Sequence, residues 1–477
     1  MPVSINPFDS ATKMLEALES GEVSSRELVA TLIRQIERHN PEINVIVTEA
    51  FDEAREAAAE ADRVRETGHA LPLTGLPITI KDQIDVAGMR TTGGNPDRAD
   101  HRAESNAPNV ARLRAAGAIV LGKTNVPNTG DWQASNPLFG RTSNPWNLER
   151  TSGGSTGGAA AVATGMSPLE LGSDIGGSVR IPAAYCGVLG HKPSETVMPK
   201  GPLPNPAVPM TVQGPIARRA DDLELALNIM AAPVEGEDIG WRLTIPQPRG
   251  RRLGDFRVAV LPRLDWLPCD DETLAALERL AGSLREAGAI VQEVLPAGFG
   301  DFHDYYRTYL SLLNAIVTRG LPDHVRERAV GRLNENGDAI SLAKARGMQA
   351  TIADYIGWMD ERERYRRLYR EFFRDWDILL TPVTLCPAYP HTEERWLDRK
   401  LDVNGEQVHY DLLSAYPSFA TLTGQPATNF PRGRNRDGLP LGLQAIGPYL
   451  EDRTTIHFAG LVCETFGSLQ PPPGFTV

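Results

Sequence analysis

The chain has 477 residues, of which 41% are hydrophobic and 23% charged, and its formal net charge is −12. This length exceeds that of a usual single domain, although a large α/β enzyme can reach it around one sheet. The negative charge argues against binding to a nucleic-acid backbone, which needs clustered Lys and Arg. Because no apolar run is long enough for a membrane span, we expect neither nucleic acid nor a membrane among the partners.

The four cysteines (Cys186, Cys269, Cys386 and Cys463) stand far apart and form no Cys-x-x-Cys pair. This spacing predicts reduced thiols rather than a zinc site or a disulfide framework. Nothing else has metal-ligand spacing, so we expect no metal and no other cofactor. The N-terminus lacks the basic region and apolar core of a signal peptide, which predicts a cytoplasmic location.

Residues 1–70 are predicted to form N-terminal helices. In SSRELVATLIRQIERHN the apolar residues from Leu28 to Ile36 recur at helical spacing after a serine N-cap, and Asn40-Pro41 is expected to end the helix. A second helix over AFDEAREAAAEADRVRETG is expected to end at Gly68.

The chain then alternates predicted strands and helices. The strand-like runs LTGLPITIKD and GAIVLG flank the helical APNVARLRAAG, and FRVAVLP and AIVQEVLP flank the helical DETLAALERLAGSLREAG. A helical stretch rich in Tyr, Trp and Arg precedes a last predicted strand in WDILLTPVTLCP, and the proline-rich PKGPLPNPAVPMTVQGP is expected to be a loop. This alternation predicts an α/β fold with a mixed, mostly parallel central sheet covered by helices on both faces.

The stretch GAIVLGKT, residues 117–124, fits the P-loop pattern of nucleotide-binding proteins letter for letter. A P-loop needs a glycine-rich loop between a strand and a helix. Here the residues from Ala118 to Leu121 are apolar and typical of a buried strand. Pro127 would also remove a backbone donor from the first turns of a following helix. We therefore expect no bound nucleotide.

The segment TSGGSTGGAAAVATGMSPLELGSDIGGSVRIPAAYCG contains two Gly-Gly-Ser corners, centred on Ser155 and Ser178. Glycine pairs mark backbone that needs a positive φ or a close approach to something. Either corner alone could simply cap the Ala-rich helix between them. Two such corners followed by Arg180-Ile181-Pro182 indicate a functional loop.

The stretch GGSTG also fits the Gly-x-Ser-x-Gly nucleophile elbow of the α/β-hydrolases. This alternative, a Ser-His esterase, needs a downstream acid and histidine and an oxyanion motif resembling HGGG. His391, His409 and His457 lie downstream in no suggestive context, and no HGGG-like stretch lies upstream. It is the less favoured interpretation.

The segment with the two corners closely resembles the Gly/Ser-rich signature of the amidase signature family. GLPITIKDQIDVAGMRTTGG resembles the family's lysine-bearing strand, GKTNVPNTGDWQASNPLFGRTSNPWNLERTSGG its approach to the signature, and ATLTGQPATNFPRGRNRDGLPLGLQAIGPYLED its closing region. The resemblance implies the family's fold as one domain over residues 1–477. Within it we expect a catalytic core at 71–230, a helical pocket lobe at 300–375 and a closing sheet region at 376–477.

The resemblance implies amide hydrolysis by a Ser–Ser–Lys triad through an acyl-enzyme. Ser178 would be the nucleophile, Ser155 the bridging serine on a cis peptide bond, and Lys81 the base. A serine hydroxyl needs such a base, and an exposed lysine with a pKa of about 10.4 could not serve near neutral pH. Burial would favour the neutral form of Lys81. Without the resemblance, an ion pair of Lys81 with Asp82 or Asp85 would be the simpler interpretation.

The loop before the nucleophile carries further candidates. Its consecutive backbone N–H groups suit an oxyanion hole, and they belong to Ile175, Gly176, Gly177 and Ser178. Asp174 and Arg180 flank the loop and are expected to hold its shape. Substrate contact by Arg180 is the weaker alternative.

Two features depart from the family pattern. Thr156 follows the bridging position where the family more often has a second serine, and the stretch between the corners is one residue shorter than usual. If the shortening falls in the Ala-rich helix, Ser155 keeps its role. If it falls in the turn, Ser152 or Thr156 would take the bridging position.

The resemblance implies a small-molecule amide as substrate, with some esterase activity, and a homodimer, which is common in the family. Candidate pocket residues are Trp132, Phe139, Tyr305, Tyr306 and Trp358. An alternative function is the glutaminase subunit of a transfer-RNA-dependent amidotransferase. The sequence after the nucleophile, GHKPSETVMPKGPLPNPAVPM, lacks the Tyr-Gly-Arg-Val stretch of that subunit. A third alternative, a non-catalytic relative, is disfavoured because the lysine and both serines are present.

Overall fold

The structure is a computed structural model and describes residues 5–128, 130–199 and 208–475. Its strands are β1 (Ile46–Glu49), β2 (Pro77–Lys81), β3 (Ile119–Thr124), β4 (Ser135–Asn136), β5 (Gly140–Arg141), β6 (Ser143–Asn144), β7 (Asn147–Thr151), β8 (Leu169–Asp174), β9 (Leu189–Lys192), β10 (Val212–Ala217), β11 (Arg257–Val260), β12 (Ile290–Glu293), β13 (Ile378–Pro382), β14 (Lys400–Val403), β15 (Glu406–His409), β16 (Ala427–Arg434) and β17 (Pro440–Ile446).

The α-helices of the same residues are α1 (Ala11–Glu19), α2 (Ser25–Ile43), α3 (Phe51–Glu66), α4 (Pro108–Ala115), α5 (Ala159–Ala163), α6 (Arg180–Cys186), α7 (Ala220–Met230), α8 (Asp271–Glu286), α9 (Phe302–Val317), α10 (Asp323–Asn336), α11 (Ala339–Met348), α12 (Ile352–Asp375), α13 (Ala415–Thr421) and α14 (Asp452–Phe466). None of these helices combines the length and the apolar character that crossing a membrane requires.

Eleven strands form one mixed sheet in the order β1-β3-β2-β8-β10-β9-β16-β17-β13-β11-β12. The α/β class and the large mixed sheet are confirmed, but the prediction of a mostly parallel sheet is wrong. Of the ten strand pairings within this sheet, six are antiparallel and four are parallel.

The reason lies in the middle of the sheet. The parallel pairs β2–β3 and β11–β12 are each joined by a helix, α4 and α8, and this is the alternation that the sequence displays. The central strands instead pair antiparallel, and β10 begins within the proline-rich stretch that was predicted to be a loop. Residues 200–207 of that stretch lie outside the described residues.

Apolar cores lie on both faces of the sheet. Along β13, Ile378 and Leu380 belong to one buried cluster and Leu379 to the other. Because successive side chains of a strand point to opposite faces, the two clusters lie on opposite sides. Helices such as α2, α7 and α14 contribute to the first cluster, while α9 and α12 contribute to the second. Coverage of both faces by helices is therefore confirmed.

The predicted N-terminal helices form as α1, α2 and α3, but the strand β1 lies between α2 and α3 and the end of α2 differs from the prediction. Ser24 and Glu27 make a reciprocal capping box at the start of α2. The helix then continues past Pro41 to Ile43, and Asn44 ends it in the left-handed conformation with φ 56°. The predicted end at Asn40-Pro41 was wrong because the left-handed residue at the C-terminus, rather than the proline, ends this helix.

Candidate active site

Lys81 and Ser155 lie in direct contact beneath the two glycine-rich corners. Lys81 is the last residue of β2 and is fully buried. Its Nζ donates to Ser155 Oγ at 2.7 Å and to Ser173 Oγ at 2.9 Å. The resemblance led us to expect a cis bond at the middle serine, and the Gly154–Ser155 peptide bond is cis.

The environment of Lys81 favours its neutral form. Burial lowers its pKa to about 7, although the carboxylates of Asp174 and Glu170 act in the opposite direction. Asp82 is turned elsewhere, since its Oδ2 accepts from the Thr92 hydroxyl at 2.5 Å and from the Gly93 N–H at 2.8 Å. Within the described residues Lys81 forms no ion pair, so the interpretation as a simple structural salt bridge is not supported.

The loop after β8 is closed by the carboxylate of Asp174. Its Oδ1 accepts from the Gly177 N–H at 2.9 Å, and its Oδ2 accepts from the Val179 N–H at 3.1 Å. Gly177 has a φ of +97°, and a Cβ there would lie 2.7 Å from Cγ of Pro417. Only glycine fits this position. Because the Gly177 N–H is already bonded, we remove it from the predicted oxyanion donors.

Arg180 holds this carboxylate in place. Its Nε and Nη2 donate to the two oxygens of Asp174 at 3.1 and 3.0 Å. The remaining donors reach the carbonyl of Pro417, the amide oxygen of Gln444 and the hydroxyl of Thr421. All five guanidinium N–H groups are thereby used. Arg180 is fully buried and has no donor left for a substrate.

The charge state of Asp174 follows from this pairing. Burial alone would raise the pKa of Asp174, but the charge and hydrogen bonds of Arg180 hold that pKa below its ordinary value. The carboxylate is therefore ionised at neutral pH. An ionised carboxylate is a strong acceptor for the backbone N–H groups that shape the loop.

The two corners are packed against each other. A Cβ on Gly153 would lie 2.6 Å from Cα of Pro182, so the first corner rests on the helix that follows the second. Ser178 is 7% exposed at the end of the loop. No hydrogen bond joins its hydroxyl to that of Ser155 anywhere in the described structure.

The two alternative bridging residues point elsewhere. Ser152 Oγ donates to the backbone carbonyls of Thr142 and Gly153. Thr156 is buried and supports β8, with its Oγ1 donating to the Ser173 carbonyl at 3.5 Å. Neither is hydrogen-bonded to Lys81 in the described structure. The geometry thus favours Ser155 over Ser152 and Thr156 for the bridging position.

Two aromatic side chains contact the carbonyl groups of the loop. The Trp132 indole Nε1 donates to the Gly176 carbonyl at 2.9 Å. The Tyr309 hydroxyl donates to the Ile175 carbonyl at 3.0 Å. Trp132 was a predicted pocket residue, whereas Tyr309 was missed. The available signal was its position one helical turn after the candidates Tyr305 and Tyr306, on the same face of α9.

The other four candidate pocket residues make their contacts elsewhere. The Tyr305 hydroxyl donates to the Ser418 carbonyl, and that of Tyr306 donates to the Asp411 carbonyl. Trp358 is buried in the same aromatic core. Phe139 lies in the turn between β4 and β5, where its carbonyl accepts from Asn44. Because the three helical aromatics are buried in the core, the structure does not support them as pocket residues, whereas the place of Phe139 in the pocket stays a prediction.

The esterase alternative requires a histidine that is hydrogen-bonded to the nucleophilic serine. His409 pairs with Asp411 at 3.1 Å, and burial lowers the pKa of His391. A further histidine, His191, is buried between Thr428 and Asp452. In the part of the chain that the structure describes, no histidine is hydrogen-bonded to either serine. The Ser-His interpretation is therefore not supported.

Known proteins resemble this chain along nearly its whole length. The profile of the family described as Amidase matches residues 27–456. The chain belongs to the amidase family. An acylamidase of Rhodococcus erythropolis is 33% identical over 473 residues, which cover 94% of each protein. A 6-aminohexanoate-cyclic-dimer hydrolase of Paenarthrobacter ureafaciens is 30% identical over 476 residues, covering 93% of this amidase and 92% of that enzyme.

Solved structures agree in fold. A bacterial aryl acylamidase belonging to the amidase signature enzymes superimposes with a TM-score of 0.80 at 26% identity, over 96% of each chain. The 6-aminohexanoate cyclic dimer hydrolase complexed with substrate gives 0.79 at 26% identity, over 99% of this chain and 100% of that one. This confirms the amidase signature fold, and this amidase is a hydrolase that acts on amides.

Sequence reasoning missed two polar residues on β8 of the amidase. Ser173 accepts from Lys81, as described above. Glu170 is fully buried and accepts from the Thr124 hydroxyl at 2.6 Å through Oε1, while its Oε2 has no hydrogen-bond partner in the described residues. Burial raises the pKa of Glu170 to about 7. The available signal was an acidic residue between two leucines in PLELG.

The Asp174–Arg180 pair generates a stability prediction. Arg180→Met should lower the free energy of unfolding by about 3–5 kcal/mol, because it leaves a buried carboxylate without its counter-charge. Urea unfolding measures this change. The double variant Asp174→Asn with Arg180→Met should recover part of the loss, since the uncompensated charge is gone. A single variant as stable as the natural chain would contradict the assigned role.

Proposed function

We propose that this amidase hydrolyses the C–N bond of carboxylic acid amides with Lys81, Ser155 and Ser178, through an acyl-enzyme on Ser178. One observation carries the proposal. A fully buried lysine, whose pKa burial lowers to about 7, donates to Ser155 Oγ at 2.7 Å next to the cis peptide bond. A neutral amine at this position is a base for a serine hydroxyl.

Acylation begins when neutral Lys81 accepts the Ser155 proton while Ser155 accepts that of Ser178. Ser178 Oγ then attacks the carbonyl carbon, and the electron pair of the C=O bond moves to the oxygen. This oxyanion is stabilised by the backbone N–H groups that remain unbonded within the loop, those of Ile175, Gly176 and Ser178. When the C=O bond re-forms, the C–N bond breaks, and the leaving amine takes the proton from Lys81 through Ser155.

Deacylation repeats the relay with water. A water molecule transfers its proton through Ser155 to Lys81 and attacks the ester carbon, and Ser178 leaves with that proton. The hydroxyls of Ser178 and Ser155 are not hydrogen-bonded in the structure, so the Ser178 hydroxyl must turn towards Ser155 when substrate binds. Catalytic hydrogen bonds commonly tighten only in the substrate complex.

The relatives support a small-molecule amide as substrate. Two of them are an acylamidase and a cyclic-dimer hydrolase. The glutaminase alternative has weaker support, since the glutamyl-transfer-RNA amidotransferase subunit among the structural neighbours is 24% identical and shares the fold.

The purified chain should act alone on a panel of primary amides, anilides and esters. Gel filtration tests the expected homodimer, and we further propose a cytoplasmic location.

The pH profile tests the base. The value of kcat/KM should rise with pH and level off above about 7, the pKa of Lys81, because only the neutral amine accepts a proton. This fall in activity at acid pH, the acid limb of the profile, also lies near the ordinary pKa of histidine. Replacing His391, His409 and His457 one at a time should therefore leave the limb in place. A limb that vanishes in one of these variants would contradict a lysine base.

The variant Lys81→Ala should fold and lose nearly all turnover, because the Ser178 hydroxyl is left without a proton acceptor. Oxyanion-hole donors would leave some rate above that in water. Lys192→Ala is the matched control: Lys192 is also fully buried, its pKa is lowered by burial to about 8, and its Nζ donates to the backbone carbonyls of Pro193 and Gln425. It should keep most of the activity. Steady-state kinetics with melting curves of both variants distinguish lost chemistry from lost folding.

A fluorophosphonate probe identifies the nucleophile. The probe should label the peptide that contains SDIGGSVR, at Ser178, and the Ser178→Ala variant should remain unlabelled. Peptide mass mapping locates the adduct. Labelling at Ser155 would instead support the nucleophile-elbow interpretation and overturn the proposed triad.

A further inference from the structure

The loop that would bind the oxyanion contains two peptide units with almost no side chain to hold them. These are the units joining Ile175 to Gly176 and Gly176 to Gly177. A glycine rotates about its backbone bonds more freely than any other residue. The direction of each N–H group in this stretch therefore depends on the hydrogen bonds that neighbouring residues form with these peptide units.

The unit between Gly176 and Gly177 is held at both ends. Its carbonyl accepts from the Trp132 indole at 2.9 Å, and its N–H donates to Asp174 Oδ1 at 2.9 Å. Both polar groups are satisfied inside the protein. This unit has no N–H free for a substrate.

The unit between Ile175 and Gly176 is held at one end only. Its carbonyl accepts from the Tyr309 hydroxyl at 3.0 Å. In a trans peptide the C=O and N–H groups point in opposite directions, so the Gly176 N–H points away from Tyr309. No acceptor for this N–H occurs in the described structure. It is therefore the donor of the glycine pair that is available to an oxyanion.

We propose that Tyr309 is a positioning residue for the oxyanion hole, which aims the Gly176 N–H at the reacting carbonyl by holding the carbonyl of Ile175. The proposal rests on the proposed function, because it uses the same loop and nucleophile. Without the Tyr309 hydroxyl, the Ile175 carbonyl loses its donor and the peptide unit is free to turn. The N–H group would then leave the position in which it stabilises the transition state.

The placement of Tyr309 suits this role. The side chain is fully buried on α9 and stacks on Tyr306 with 5.9 Å between ring centroids, so its hydroxyl is fixed relative to the loop. Burial raises the pKa of the Tyr309 phenol. The hydroxyl thus keeps its proton across the working pH range and remains a donor to the carbonyl.

Tyr309→Phe tests the inference, since it keeps the ring and removes only the hydroxyl. We expect kcat to fall by about tenfold to a hundredfold with KM little changed, somewhat less than for outright removal of an oxyanion-hole donor. An aldehyde transition-state analogue, which forms an oxyanion on the nucleophile, should bind more weakly by a similar factor. Binding of the acid product should be unchanged.

Tyr306→Phe is the matched control. Tyr306 lies one turn earlier on the same helix and is equally buried, but its hydroxyl bonds the Asp411 carbonyl and Ser414 rather than a carbonyl of the loop. This variant should share any loss of melting temperature and keep kcat. The two variants are compared at a temperature at which both are fully folded.

The outcomes separate this inference from the proposed function. Equal kcat in the two variants, or a Tyr309→Phe change confined to KM, would overturn the role of Tyr309. The proposed triad would stand in that case if Lys81→Ala and Ser178→Ala are inactive. If Lys81→Ala were active, the proposed triad would fail regardless of the result at Tyr309.

Discussion

The buried carboxylate of Asp174 is the group on which the geometry of the site depends. It is bonded by two backbone N–H groups of its own loop and by two guanidinium donors of Arg180. An isolated buried charge would be costly, so neither Asp174 nor Arg180 tolerates the absence of the other. Their pairing turns the glycine-rich segment, which has little conformational preference of its own, into a loop of one shape.

The low-dielectric interior of the site has opposite effects on the charges of two groups, Lys81 and Asp174. They oppose the charge on Lys81 and lower its pKa, because its hydrogen-bond partners are neutral hydroxyls. They preserve the charge on Asp174, because an arginine lies against it. One buried region can thus contain a neutral base and an ionised carboxylate at the same pH. The difference lies in the partner that each group contacts.

Much of the site could be predicted from the sequence because its residues lie in a distinctive glycine-rich stretch. Both serine corners were identified in this way, whereas Lys81 was assigned through the family resemblance. Tyr309 and Glu170 were missed because each sits in an ordinary pattern, an aromatic helix and an apolar strand, and their contacts come from segments distant in the chain. The antiparallel centre of the sheet was missed for a similar reason. Strand direction there depends on long-range pairing, which local alternation of strands and helices does not record.

Three acceptors of Arg180 lie far along the chain from the loop that it stabilises. The Pro417 carbonyl, the Thr421 hydroxyl and the Gln444 amide are 237, 241 and 264 residues away in sequence. During synthesis on the ribosome, the residues of the signature loop emerge well before these partners exist. The loop therefore cannot reach its final form in an unfinished chain. The shape of the signature loop is thus a property of the nearly completed polypeptide.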